Sequence, residues 1–212
     1  MIELFENVQI PEIDYVFLCN KIATDHRKPR DRISRLLRKG VLTRVKKGLY
    51  VINSPYHPKP YSKEVLANLI YGPSYVSLDY GLAYHGLIPE RIEEVTSICC
   101  TRNKSYDTPL GRFTYRFLNS RLYDQGVSLV RIDAHRSFFM AIPEKALIEK
   151  MILTFGRKWD GDVRAALFDD LRIDEPSFRS LRITRVEKIV ALFNPLFGDR
   201  LVALLRQTKR SR

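Results

Sequence analysis

Cysteine and histidine are scarce in this chain, and long apolar runs are missing. Its three cysteines, Cys19, Cys99 and Cys100, do not make a disulfide framework; the adjacent pair reads as part of an apolar strand. The four histidines, His26, His57, His85 and His135, are scattered. None stands in the His-x3-His or Cys-x2-Cys spacing of a zinc site, so no metal and no cofactor is expected. His85, between Tyr84 and Gly86, reads as a capping or packing residue. No segment approaches the roughly 18–20 apolar residues of a membrane helix. The start, Met1-Ile2-Glu3-Leu4-Phe5-Glu6, lacks the positive region and apolar core of a signal peptide. A cytoplasmic protein with no membrane partner is the default expectation. Catalytic signatures are missing too. There is no Gly-x-Ser-x-Gly, no Gly-x4-Gly-Lys phosphate loop and no Gly-x-Gly-x-x-Gly. Asp160, Asp162, Asp169 and Asp170 cluster in sequence, but no acidic-x-Lys triplet accompanies them. Helix capping and surface charge account for them, and the chain is expected not to be an enzyme.

Basic charge is what the chain has in excess. It is 212 residues long, 45% hydrophobic and 28% charged, the composition of a soluble globular protein of one large or two small domains. The net charge is +12 and the pI about 9.7, which points to a polyanionic or acidic partner. This charge is spread along the chain, so its meaning is local.

The hydrophobic period predicts a helix over 12–24 with Ile13, Val16, Phe17 and Ile22 inward. A polar break, Thr24-Asp25-His26-Arg27-Lys28, follows. Pro29 suits a first helical position and Gly40 a helix end. Between them Ile33, Leu36 and Leu37 share one face, and Asp31, Ser34, Arg35 and Arg38 the other. Val41–Val45 and Leu49–Ile52 are strand-like runs around Lys46-Lys47-Gly48, a tight turn where glycine supplies positive φ. Helices followed by a hairpin make residues 1–54 a winged helix-turn-helix in expectation. Prolines 55, 58 and 60 mark residues 55–60 as a linker. Residues 61–212 read as a mixed α/β domain. Helices are expected over Ser62–Tyr71 and from Ser77 to near Gly86. Strands are expected over Val95–Thr101, Phe113–Leu118, Val127–Ile132 and Phe138–Ile142. From about 143 the chain reads as helical, with a Val186, Ile189, Val190 and Phe193 stripe. The fold class is α+β.

The N-terminal region carries the strongest mechanistic signal. On the exposed face of a helix entering the major groove, Arg35 and Arg38 suit guanine O6 and N7, and Ser34 a base or a phosphate. Asp31, four residues before Arg35, suits an i,i+4 pair with it. Arg30, Arg32, Lys39, Arg44, Lys46 and Lys47 suit phosphates, which set position rather than sequence. A solvated basic face is the plain alternative. A second stripe, Arg179, Arg182, Arg185 and Lys188, with Arg206, Lys209, Arg210 and Arg212 beyond, is either a solvated face with a basic tail or a surface for a partner protein or further DNA backbone. A non-enzymatic interaction module whose basic head binds an acidic partner, rather than DNA, is the competing functional reading.

Three motifs carry a resemblance. "SRLLRKGVLTRVKKGLYVI" (Ser34–Ile52), "YVSLDYGLAYHGLIPE" (Tyr75–Glu90) and "MAIPEKALIEKMI" (Met140–Ile152) occur here in the order found in antitoxins of the AbiE abortive-infection, type IV toxin–antitoxin family. The chain resembles that family over roughly residues 10–155, most specifically in the middle motif. The resemblance implies two jobs. A winged helix represses its own operon at inverted repeats in the promoter, and the remainder counteracts a nucleotidyltransferase-like toxin. It implies a non-enzyme in phage defence. DNA contact carries over to Arg30, Arg32, Ser34, Arg35, Arg38, Arg44, Lys46 and Lys47. Oligomeric state, cooperative binding along DNA and direct toxin contact stay open. Glu144 and Lys145 in the third motif read as structural.

Overall fold

A computed structural model describes residues 3–23, 29–118 and 123–210. The polar break at Thr24–Lys28 and the terminal Arg212 lie outside the described residues. The fold is α+β, with two sheets and helices on both sides of the larger one.

The N-terminal part runs through a short 3-10 turn (Glu3–Phe5), β1 (Glu12–Asp14), α1 (Tyr15–Ala23), α2 (Pro29–Arg38), β2 (Leu42–Lys46) and β3 (Leu49–Ile52). The three strands form an antiparallel sheet in the order β1-β3-β2. Here the structure corrects the expected first helix. Residues 12–14 are strand, because Glu12, Ile13 and Asp14 pair with Val51, Tyr50 and Leu49. The helix begins only after Asp14, whose Oδ1 accepts from the Phe17 amide at 2.7 Å and so satisfies one of its free N-terminal donors. This later start resets the helical phase. Leu18 and Ile22, four apart, are buried, whereas Val16 and Phe17 are 65% and 43% exposed. Ile13 is buried, but as a strand residue. The second helix keeps its expected face: Ile33 and Leu36 are buried, and Leu37 packs beside them.

All four residues of β3 are buried, which requires cover on both faces of the strand. Tyr50 and Ile52 pack with Phe5, Leu18, Ile33 and Leu36 in the N-terminal core. Leu49 and Val51, with Val45 of β2, join Leu66, Ile70, Phe113 and Tyr115 of the C-terminal part. The hairpin is therefore a wall shared by two cores. Each such buried aliphatic chain stabilises by about 1.5–3 kcal/mol relative to exposure. The segment expected as a linker, 55–60, joins parts that already touch. His57 within it is buried, its Nε2 2.9 Å from the Val8 carbonyl and its Nδ1 accepting from the Lys59 amide at 3.0 Å. Beside it the Ser62 amide donates to Glu12 Oε1 at 2.6 Å, and Arg136 lies 3.6 Å from the same oxygen.

Residues 61–210 build a six-stranded mixed sheet. Its strands are β4 (Ser74–Val76), β5 (Val95–Cys99), β6 (Lys104–Thr108), β7 (Gly111–Phe117), β8 (Val127–Arg131) and β9 (Ser137–Ala141). They lie in the order β6-β7-β5-β4-β9-β8, with β5–β7 and β4–β9 parallel. α3 (Lys63–Ile70) and the hairpin cover one face, formed by Val76, Val95, Phe113, Tyr115, Phe138 and Met140. α4 (Leu78–Tyr84) and α5 (Pro143–Phe155) pack in the other core, with Tyr75, Ile98 and Ala141. Two strands escape the sequence pattern. β4 is only three residues long, and β6, Lys-Ser-Tyr-Asp-Thr, is a polar edge strand. The C-terminal stretch is helical but broken. It comprises α6 (Val163–Ala165), a π-helical turn (Ala166–Asp170), α7 (Glu175–Ser180), α8 (Ile183–Phe193) and α9 (Gly198–Arg210). Of the expected stripe on α8, Val186, Ile189 and Phe193 are buried and Val190 packs partly against them.

Candidate nucleic-acid interface

The interface is built from the end of α2 outward. Gly40 takes φ +67, which favours glycine. Its amide donates to the Leu37 carbonyl and that of Val41 to Leu36, closing the helix. Asn53 then donates to the Gly40 carbonyl and pairs with Thr43, tying the helix end to the hairpin. Gly48, φ +89, turns the hairpin, and its carbonyl accepts from the Tyr15 amide at 2.9 Å. The Tyr15 hydroxyl in turn accepts from Arg30 Nε at 3.4 Å. Tyr15 thus brings the start of α1, the start of α2 and the hairpin turn to one side.

With Ile33 and Leu36 buried, Arg30, Asp31, Ser34, Arg35 and Arg38 are left exposed along α2 and Arg32 half-buried. The Ser34 hydroxyl donates back to the Arg30 carbonyl at 3.0 Å, so it rests on its own helix. Among the described residues no ion pair joins Asp31 to Arg35, and none involves Arg30, Arg32, Arg35, Arg38, Arg44, Lys46 or Lys47. On the hairpin Arg44 and Lys47 are exposed. Lys46 behaves differently: it is half-buried and its Nζ donates to the Ile70 carbonyl at the end of α3. Burial, and next the charge of Lys104, lower its pKa.

The second basic stripe is largely spoken for. Arg179 meets Glu175 at 3.4 Å, and Arg185 lies 3.9 Å from the buried Glu144. Arg206 pairs with Glu187, and Lys209 donates to the Arg179 carbonyl. Arg182 and Lys188 remain exposed, and the Arg182 amide donates to Glu144 Oε1 at 3.0 Å. Of the clustered aspartates, Asp162 caps α6 and Asp160 pairs with Arg200. Among the described residues no three His, Cys, Asp or Glu side chains are grouped to hold a metal ion, and no helix is long and apolar enough to cross a membrane.

No protein-family model matches the chain, and no curated protein matches it. A solved structure does. The crystal structure of the RV2827C protein from Mycobacterium tuberculosis aligns with a TM-score of 0.62 at 13% identity, over 98% of this chain and 75% of that one. At that identity the likeness is one of fold, and it extends over both parts of the molecule.

Sequence reasoning missed a buried polar centre where two of the quoted motifs meet. In α5, Lys145 is fully buried beside Glu149, 3.6 Å away, and donates to the carbonyls of Tyr123 and Gln125. Glu149 accepts from the Tyr75 and Ser77 hydroxyls. Burial raises the Glu149 pKa and lowers that of Lys145, each opposed by the other's charge. Lys150 pairs with Asp79 at 2.7 Å, and His85 reaches the Ala141 carbonyl at 2.8 Å. The Tyr75–Glu90 and Met140–Ile152 segments are thus held together by their polar residues. No periodicity signals such a pairing, because the partners are 56 to 74 residues apart.

Proposed function

We propose that the N-terminal part is a winged helix-turn-helix that binds duplex DNA. On this reading the chain represses its own operon at inverted repeats in the promoter and is the antitoxin to a nucleotidyltransferase-like toxin. It acts in the cytoplasm, by binding rather than catalysis. One observation carries the DNA half: among the described residues the basic side chains of α2 and the hairpin have no carboxylate partner, whereas two of the four cations of the 179–188 stripe do. Cations left unneutralised on two adjoining elements suit a polyanion, whose counterions they release on binding. α2 supplies the reading face through Ser34, Arg35 and Arg38. Arg30, Arg32, Arg44 and Lys47 supply phosphate contacts, and Lys46 a weaker one. The antitoxin half rests on the three quoted motifs. Arg182 and Lys188, exposed and without a carboxylate partner among the described residues, are the cations there that a protein partner would meet.

The same unpaired charge also suits an acidic protein, and the two readings part experimentally. Purified protein is titrated onto a labelled duplex from upstream of its own gene, at physiological salt with random competitor DNA. Retention of the specific duplex supports the repressor. Loss of all duplex binding at that salt leaves the acidic-partner reading in its place.

A further inference from the structure

A cleft of about 620 Å³ lies where the start of α3 faces α4 and the segment after it. Tyr61, Tyr80, Tyr84 and Phe138 wall it, and Glu64 of α3 lines it beside them. Tyr80 and Tyr84, four residues apart on α4, belong to the Tyr75–Glu90 motif, which the DNA-binding reading leaves unused. The Ser62 hydroxyl donates to Glu64 Oε2 at 2.5 Å, and the Tyr80 hydroxyl to Oε1 at 2.6 Å. The carboxylate is thereby held from two sides. It has about four acceptor sites, of which these bonds use two. The other charges around the cleft are settled among themselves. Lys63 and Arg91 both pair with Glu93, at 3.0 and 2.9 Å, Arg136 pairs with Asp133, and Arg172 with Glu90. Among the described residues Glu64 has no cation within ion-pair reach.

The first turn of α3 favours a carboxylate at this position. It does not account for an open cleft with aromatic walls around that carboxylate. We propose that the cleft takes an arginine side chain carried on a segment of a partner protein. A guanidinium is flat, binds a carboxylate through two parallel N–H donors and stacks on aromatic faces. A lysine ammonium offers neither the fork nor the plane. Of the lining residues, Tyr84 and Ile132 are 48% and 41% exposed. An occupant that covers them carries apolar groups beside its cation, as a protein segment does and free arginine does not. Aromatic pockets with a polar rim are also where the anchors of protein interfaces concentrate. The inference does not depend on DNA binding. It gives the C-terminal part a site for a basic segment, whereas Arg182 and Lys188 suit an acidic one.

The test titrates the full-length protein with a short end-blocked peptide, one arginine between two leucines, and follows the tyrosine ring signals by NMR. The peptide is expected to shift the rings of Tyr80 and Tyr84. Glu64→Gln keeps the shape of the side chain and removes its charge. It is expected to weaken binding about ten- to hundredfold, the loss of a charge-assisted hydrogen bond. Tyr84→Ala, at an exposed ring, is expected to weaken it as well, and tests the same site if the melting temperature shows that Glu64→Gln unfolds. A peptide with lysine in place of arginine, and free arginine amide, are expected to bind more weakly than the arginine peptide. No shift of either ring, or an affinity unchanged in both variants, overturns the site. Equal affinity for the lysine peptide overturns the guanidinium assignment, and equal affinity for arginine amide overturns the partner-protein source.

Discussion

Lys46 and Lys47 are adjacent and chemically identical, yet they face different surroundings. Lys47 is exposed, whereas the Lys46 ammonium is bound to a backbone carbonyl of α3. Lys47→Ala is therefore expected to flatten the salt slope of DNA binding by about 0.9, and Lys46→Ala to flatten it less, in parallel titrations on random duplex. Equal effects would mean that Lys46 leaves Ile70 on binding. The sequence signals two lysines at a turn but not this difference, because the tether comes from a residue 24 positions away. Lys145 was legible as structural but not as half of a buried ion pair. Removing one partner of such a pair costs about 3–5 kcal/mol, since the other charge stays buried. Lys145→Met is expected to lose that much in urea denaturation, more than an alanine at exposed Arg182, which is expected to change little.

At the scale of elements, α2 was read correctly because its pattern is local: Pro29 starts it, Gly40 ends it, and Ile33 and Leu36 recur at helical spacing. The 12–24 segment misled because two structures share it. Ile13 and Ile22 are inward in either reading, but a three-residue strand paired with β3 shifts the helix and turns Val16 and Phe17 to solvent. β6 was invisible because an edge strand with polar side chains shows no apolar alternation. The hairpin was legible as a hairpin but not as a two-sided wall, although an unbroken Leu-Tyr-Val-Ile run is what burial on both faces produces. Leu49→Ala opens a cavity in the core shared with the C-terminal part. It is expected to cost about 2–5 kcal/mol and to lower a single calorimetric transition. Two transitions, with only the smaller one shifted, would show that the hairpin's outward face contributes nothing to the larger core.

Across the whole molecule, the N-terminal and C-terminal parts are joined by that core and by an ionic cluster under the proline-rich segment. Arg136 binds Asp133 at 2.9 Å and the Pro60 carbonyl at 2.6 Å, and lies beside Glu12; Lys59 reaches Asp133 at 3.3 Å. Backbone donation from His135, then Arg136 and Lys59, hold the Asp133 carboxyl well below the usual carboxylate range. A depressed carboxyl stabilises the fold fully above its unfolded value near 3.9 and loses that contribution as pH falls through the folded value. Asp133→Asn is thus expected to lower stability at neutral pH and to weaken the fall in urea midpoint below about pH 4. An unchanged acid limb would place the acid sensitivity in other carboxylates. On the proposed DNA-binding reading, this joint also means that α2 would meet a duplex in one orientation relative to the C-terminal part. The most direct measurement is the affinity of wild-type protein and Arg35→Ala for the upstream duplex and for random duplex at one physiological salt concentration. A reading helix centred on Arg35 gives specific binding by the wild type and a loss of discrimination of about 1–3 kcal/mol in the variant. Equal wild-type affinity for both duplexes, or discrimination that survives Arg35→Ala, would contradict it.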